Sequence, residues 1–151
     1  MGNITTGFGR PIRLEHHHVE YLADMLEPLY EKTGYPKANK KHFIKSTHEH
    51  IERSDFAGFL TDNALCMGIV EVDPINFGVR TGRELCWMSR GKDGFDVLRE
   101  WVTWCENMGA THIYMSTNIK EHSERRSKVR DYMMKKIGFE PIQTTWMRTL
   151  V

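Results

Sequence analysis

The sequence offers little to carry the chain across or into a membrane, and little excess charge of either sign. Its apolar runs are only a few residues long, and the opening Met1-Gly2-Asn3-Ile4-Thr5-Thr6 has no hydrophobic signal core, so neither a secretory leader nor a spanning helix is expected. Lys and Arg number 21 against 20 Asp and Glu, a formal charge of +1. That balance excludes the global basic field that holds nucleic acid or an anionic membrane, and such a partner would need a local patch. The three cysteines, Cys66, Cys86 and Cys105, are widely spaced in apolar segments. No CxxC pair exists, which excludes the common zinc and dithiol motifs. The expectation is buried thiols in a reducing, cytoplasmic setting. Low-complexity stretches, internal repeats and a dividing linker are also lacking.

What is present suits one ordinary domain. The chain has 151 residues, 40% apolar and 27% charged, with 7 Phe, 5 Tyr, 4 Trp and 9 Met to build a core. A single domain over residues 1–151, with residues 1–10 as a short extension, is the expectation. Met1-Gly2 with Thr6 fits the myristoylation pattern, and Asn3-Ile4-Thr5 fits a glycosylation sequon, but both patterns are short enough to arise by chance. His16-His17-His18 runs directly into a helical segment and reads as native sequence.

Hydrophobic period orders the elements. Pro11 to Leu14 is a short strand. Val19, Leu22, Met25, Leu26 and Leu29 recur at helical spacing, and Gly34 with Pro36 ends that pattern. Lys40 to Ser54 forms a second surface helix with Phe43, Ile44, Thr47 and Ile51 on one side. Phe56 to Leu60 and Leu65 to Val72 are strand-like and flank the turn Thr61-Asp62-Asn63-Ala64, a hairpin signal. Asp73 to Arg83, with Pro74, Gly78 and Gly82, reads as a loop before the strand Glu84 to Met88. A helix over Phe95 to Met108 shows a clean apolar face of Val97, Leu98, Trp101, Val102, Cys105 and Met108, and Gly109 caps it. Thr111 to Ser116 is a strand, a helix ends at Ile137-Gly138, and Phe139 to Arg148 forms a closing strand or strand pair. The strand, helix, strand unit through Trp87, Gly94 and Ile113 implies a parallel crossover in an otherwise antiparallel sheet.

This order, the glycine-containing turn before the third helix, and the tail Tyr132-Met133-Met134-Lys135-Lys136-Ile137-Gly138-Phe139-Glu140 resemble the GCN5-related N-acetyltransferase superfamily over residues 11 to 148. The resemblance implies an α/β fold: a mixed, mostly antiparallel twisted sheet with helices on both faces. It also implies acetyl-CoA as co-substrate and transfer of an acetyl group to a primary amine of a small molecule or protein. In such a site, main-chain N–H groups of the turn and the first helical turn receive the CoA pyrophosphate. Carried onto this chain, the cofactor-binding residues are Trp87, Met88, Ser89, Arg90, Gly91, Lys92, Asp93 and Gly94. The family pattern for this turn keeps only its last glycine here, Gly94. Asp93 and Asp96 oppose the attraction that Arg90 and Lys92 exert on an anion, while also favouring a helix N-terminus. Met134 stands at the usual tyrosine position and cannot protonate a thiolate. Tyr132, two residues earlier and about 200° round the helix, is the tyrosine left as candidate acid.

Glu71 and Glu84, on neighbouring central strands, are the candidate general bases, since a carboxylate beside splayed strands can take a proton directly or through water. Alternation places Tyr114 and Ser116 on one face of their strand, where they line the acceptor side. Neighbouring and i,i+2 histidines, as in His16 to His18 and His48-Glu49-His50, point in different directions on a helix and make poor shared ligands, so no metal site is expected. Lys120, Arg125, Arg126, Lys128 and Arg130 interleave with Glu121, Glu124 and Asp131, the pattern of a solvated helix face. Nucleic acid is therefore not an expected partner. Acetyltransferase-like proteins of tailed bacteriophages share the degenerate turn and a Cys-Trp in the fourth strand, here Cys86-Trp87. That likeness implies an alternative, a catalytically inert protein with a structural role in a virion or a protein-binding role, meeting a virion partner or a second copy of itself.

Overall fold

The computed structural model describes residues 10–32, 39–117, 124–142, 148 and 150. They fall into two compact units, Met1–Thr117 and Asn118–Val151.

The first unit carries the sheet. Its strands are β1 (Ile12–Arg13), β2 (Phe56–Leu60), β3 (Ala64–Val72), β4 (Arg80–Ser89) and β5 (His112–Tyr114). They lie side by side in sequence order. β1 to β4 pair antiparallel, and β4 pairs with β5 in parallel, as the crossover predicts. The helices are α1 (Val19–Glu31), preceded by a 3-10 turn over His16–His18, α2 (Lys40–Ile51) and α3 (Gly94–Asn107). The α2 helix starts on Asn39, whose side chain accepts from the His42 N–H, a standard way to satisfy a free first-turn donor.

Alternation along the strands divides the core into two layers. On one face Phe56, Leu60, Leu65 and Met67 pack with Leu22, Met25 and Leu26 of α1 and with Leu14. On the other face the glycines Gly68 and Gly82 lie under α3. A Cβ on Gly68 would fall 2.5 Å from Cζ2 of Trp101, and one on Gly82 would fall 2.9 Å from Sγ of Cys105. Trp101 and Cys105 are fully buried, so the missing side chains are what let the helix approach. Helices thus cover both faces. Burial also pushes the Cys105 thiol up to about 12 and raises that of Cys66, so both are inert thiols.

The strand expected over Glu84 to Met88 begins earlier, at Arg80, and the preceding loop is correspondingly shorter. Arg80, Gly82 and Arg83 look like loop residues because one is a glycine and two are charged, yet Gly82 is required by Cys105 and the arginines point to solvent edges. The loop that remains is fixed by Asp73, whose Oδ1 accepts from the N–H groups of Ile75 and Asn76 at 2.8 Å each. The third helix ends as expected: Gly109 has φ +84°, and the N–H of Ala110 returns to the carbonyl of Cys105 at 3.0 Å.

The second unit contributes α4 (Glu124–Lys136), closed by Gly138 at φ +97° with the Phe139 N–H on the Met134 carbonyl. Phe139 to Ile142 are irregular rather than strand, and Gln143 to Met147 of the expected closing strand lie outside the described residues. Among the described residues no helix is long and apolar enough to cross a membrane, and no group of three or more His, Cys, Asp or Glu is placed to hold a metal ion.

Candidate functional site

The site begins with a defect in pairing. Met67 faces Cys86 and Gly68 faces Glu84, so β4 carries one extra residue, Leu85, in a β-bulge. A bulge bends its strand and increases the local twist. β5 follows β4 only from Thr81 to Arg83, opposite His112 to Tyr114. From Glu84 to Ser89 that side of β4 has no strand partner among the described residues.

Glu84 stands where the two strands part. Ser116, just past the end of β5, donates its hydroxyl to Oε2 of Glu84 at 3.4 Å. Burial raises the Glu84 carboxyl from 4.5 to about 7, against the lowering effect of the Ser116 main-chain and hydroxyl donors. Glu71 has a different setting. Its Oε1 accepts from Nε of Arg83 at 2.9 Å on the half-exposed surface, and the same guanidinium lies 5.9 Å from the centre of the Tyr114 ring. The structure therefore does not bring the two candidate bases into one environment: Glu71 is ion-paired, and Glu84 is a half-buried carboxyl held by Ser116.

The turn from β4 into α3 is held by its own side chains. Nε1 of Trp87 donates to the Gly94 carbonyl at 2.7 Å, and its ring meets Phe95 edge-on at 5.4 Å. The Ser89 hydroxyl donates to the Gly91 carbonyl at 2.9 Å and accepts from the Gly91 N–H at 3.1 Å. Met88 is packed into the α1 layer of the core, so only its main chain is available to a ligand. A Cβ on Gly94 would meet Cβ of Ser89 at 3.1 Å, a second reason for glycine there besides ligand approach. The N–H groups of Asp96 and Val97 both turn back to the Asp93 carbonyl. Those of Lys92, Asp93, Gly94 and Phe95 have no main-chain acceptor among the described residues, and they form the donor set at the positive end of α3.

Arg90 is engaged within the protein. Its N–H donates to the Asn63 carbonyl at 2.8 Å and its Nε to Oδ1 of Asn63 at 3.2 Å. Nη2 donates to the Asp62 carbonyl at 3.0 Å and to the Tyr21 hydroxyl at 3.2 Å, and that hydroxyl donates in turn to the Asp62 carbonyl at 2.8 Å. Arg90 thus ties the turn to the β2–β3 hairpin and to α1. Tyr21 and Asn63 were not legible as site residues, since their only sequence signal was a tight Asp-Asn turn. Tyr132 is exposed on α4 of the second unit, with Met134 one half-turn further on.

The sequence matches no protein-family model and no curated protein. The fold does match solved structures. Glucosamine-6-phosphate N-acetyltransferase from Arabidopsis thaliana superposes with a TM-score of 0.66 at 15% identity, over 94% of this chain and 98% of that one. A predicted acetyltransferase from Clostridium acetobutylicum, determined with acetyl-CoA, gives 0.68 at 12% identity, over 93% and 95%. An aminoglycoside N-acetyltransferase in complex with CoA gives 0.64 at 14% identity, over 93% of each chain. At such identities the likeness is one of architecture, and together with the bulged fourth strand, the parted β4 and β5 and the turn into α3 it shows that this chain has the GCN5-related N-acetyltransferase fold.

Proposed function

We propose that the chain is an acyl-CoA-dependent N-acetyltransferase acting on a primary amine of a small molecule or protein, with residues 1–151 working as one catalytic domain. The observation that carries this reading is Glu84, a carboxyl with a pKa of about 7 at the point where a strand edge begins that has no strand partner among the described residues. Acetyl-CoA supplies the activated acyl thioester. The residues present fit it: the N–H groups of Lys92 to Phe95, which have no main-chain acceptor among the described residues, suit a pyrophosphate, and the edge of β4 from Glu84 to Ser89, without a strand partner among them, suits the amides of a pantetheine arm. Asp93 and Asp96 weaken that attraction for an anion.

Amine acceptors are largely protonated at neutral pH and must lose a proton before the nitrogen can attack. A base whose pKa lies near the working pH combines a useful deprotonated fraction with real proton affinity, and Glu84 meets that condition. Glu84 takes the first proton from the acceptor ammonium directly or through water. As the C–N bond forms and the C–S bond breaks, the second proton, lost from the nitrogen, passes through water to the departing thiolate, giving the amide and free CoA thiol. Glu71, held by Arg83, has no part in this scheme, and none is assigned to Tyr132. Two of the solved structures of this fold are enzymes whose names give an aminoglycoside and glucosamine 6-phosphate as acceptors, so small amino sugars open the acceptor screen.

A second reading has its own observations. Met134 at the usual tyrosine position, the acids at the turn and the engagement of Arg90 all favour a catalytically inert protein with a structural or protein-binding role, in a virion or with its own copies. One experiment separates the two. The melting temperature is measured with and without millimolar acetyl-CoA, followed by acetyl transfer to an amine panel by the intact protein and by Glu84→Gln. The enzyme reading expects stabilisation by mass action in both proteins and transfer only in the unaltered one. No stabilisation would leave the inert reading.

A further inference from the structure

We propose that Arg90 is a positioning residue, forming with Asn63 and Tyr21 a latch that holds the β4–α3 turn in the shape a pyrophosphate needs. The inference rests on the proposed function and assigns residues to that same cofactor site.

The argument starts from the donors of arginine. A guanidinium has five N–H groups, and two parallel bonds from one edge of its fork are its usual grip on phosphate or carboxylate. Here the edge made of Nε and Nη2 is occupied by Oδ1 of Asn63, the Asp62 carbonyl and the Tyr21 hydroxyl. Nε has one hydrogen and Nη2 has two, so these three bonds use that edge completely. Only Nη1 remains. The donor direction is consistent throughout: Tyr21 gives its one hydrogen to the Asp62 carbonyl and so must accept from Arg90.

A second observation points the same way. A Cβ on Gly91 would fall 3.2 Å from Cβ of Asn63, so the turn lies directly against the hairpin residue that Arg90 grips through both main chain and side chain. Asn63 itself is set by its N–H on Oγ1 of Thr61 at 3.2 Å. The latch thus clamps the turn at Arg90 and Gly91, immediately before the N–H groups of Lys92 to Phe95 that have no main-chain acceptor among the described residues. Loosening it would let those four donors fan out, and a ligand would then have to order them at its own entropic cost.

The test is calorimetric titration of acetyl-CoA and of S-acetylpantetheine, which lacks the pyrophosphate, into the unaltered protein, Tyr21→Phe, Arg90→Lys and the double variant. Tyr21→Phe removes one hydroxyl of the latch, and Arg90→Lys keeps the charge and loses the fork. Each single variant is expected to weaken acetyl-CoA binding by about three- to tenfold, the net worth of one hydrogen bond. The double variant should be little worse than either single one, because both break the same latch, and acetylpantetheine binding should not change. Weakening by Arg90→Lys with none by Tyr21→Phe would make Arg90 a direct phosphate ligand and overturn the latch. Equal loss for both ligands would mean general damage and would overturn it as well. If the unaltered protein binds no acetyl-CoA, the proposed function fails and the latch with it, whereas acetyl-CoA binding that both variants retain unchanged removes the latch alone.

Discussion

Glu84 carries a cost that a base must bear. In the unfolded chain its carboxyl titrates near 4.5, and in the fold near about 7. Between those values the folded protein holds more protons than the unfolded one, so stability falls as pH rises through that window and the loss is complete above it. The full difference is about 3 kcal/mol. Glu84→Gln should therefore match the unaltered protein at about pH 5 and exceed it at about pH 8, with a flatter slope between. Urea midpoints at the two pH values check this, and parallel curves would refute the raised pKa. Gly68 is the residue beneath the bulge. A Cβ there would stand 2.3 Å from the Arg83 carbonyl and 2.5 Å from Trp101, and the backbone oxygen cannot move aside as a flexible side chain could. Gly68→Ala should cost about 1–3 kcal/mol, as overpacking does, read as a lower urea midpoint. Nothing in the sequence distinguished Gly68 from Gly58 or Gly82, because the reason lies in what crosses above it.

At the scale of elements, α1, α3 and the β2–β3 hairpin were legible because their apolar positions repeat cleanly and glycine or a turn pair punctuates them. β4 was legible only from its apolar second half. Its first half, Arg80 to Arg83, pairs with strands on both sides while showing arginine to the solvent, so local composition and tertiary pairing disagree. The bulge was not legible, since an extra residue in a strand leaves no mark until both partners are aligned. Trp87 shows how an element becomes a site: its indole joins the end of β4 to the first residue of α3. Trp87→Phe keeps the ring contact with Phe95 and removes the hydrogen bond, and should cost about 1 kcal/mol of stability, measured by thermal or urea unfolding. An unchanged midpoint would mean that solvent replaces the indole donor without loss.

At the scale of the whole molecule, the order of strands and the parallel crossover followed from sequence because consecutive elements tend to be neighbours and crossovers have one hand. The contacts of Arg90 did not follow, because its partners Tyr21 and Asn63 lie 69 and 27 residues away. A turn read alone shows an arginine ready for phosphate, and the same turn in its fold shows that arginine holding two other elements in place. In the proposed reading an anion is received by main-chain groups, which any residue supplies. That is how a chain with so few of the family's letters can keep the architecture.

Helix α3 is fastened to β4 at both ends, by Trp87 on the Gly94 carbonyl and by Arg80 on the Met108 carbonyl. From Arg80 to Trp87 the strand spans roughly 23 Å at about 3.3 Å per residue, and from Gly94 to Met108 the helix spans roughly 21 Å at about 1.5 Å per residue. The surplus, about 2 Å, is less than one strand residue. Strand and helix are therefore cut to one gauge. A residue gained or lost in either arm breaks the match, so this stretch can vary in its letters but not in its length.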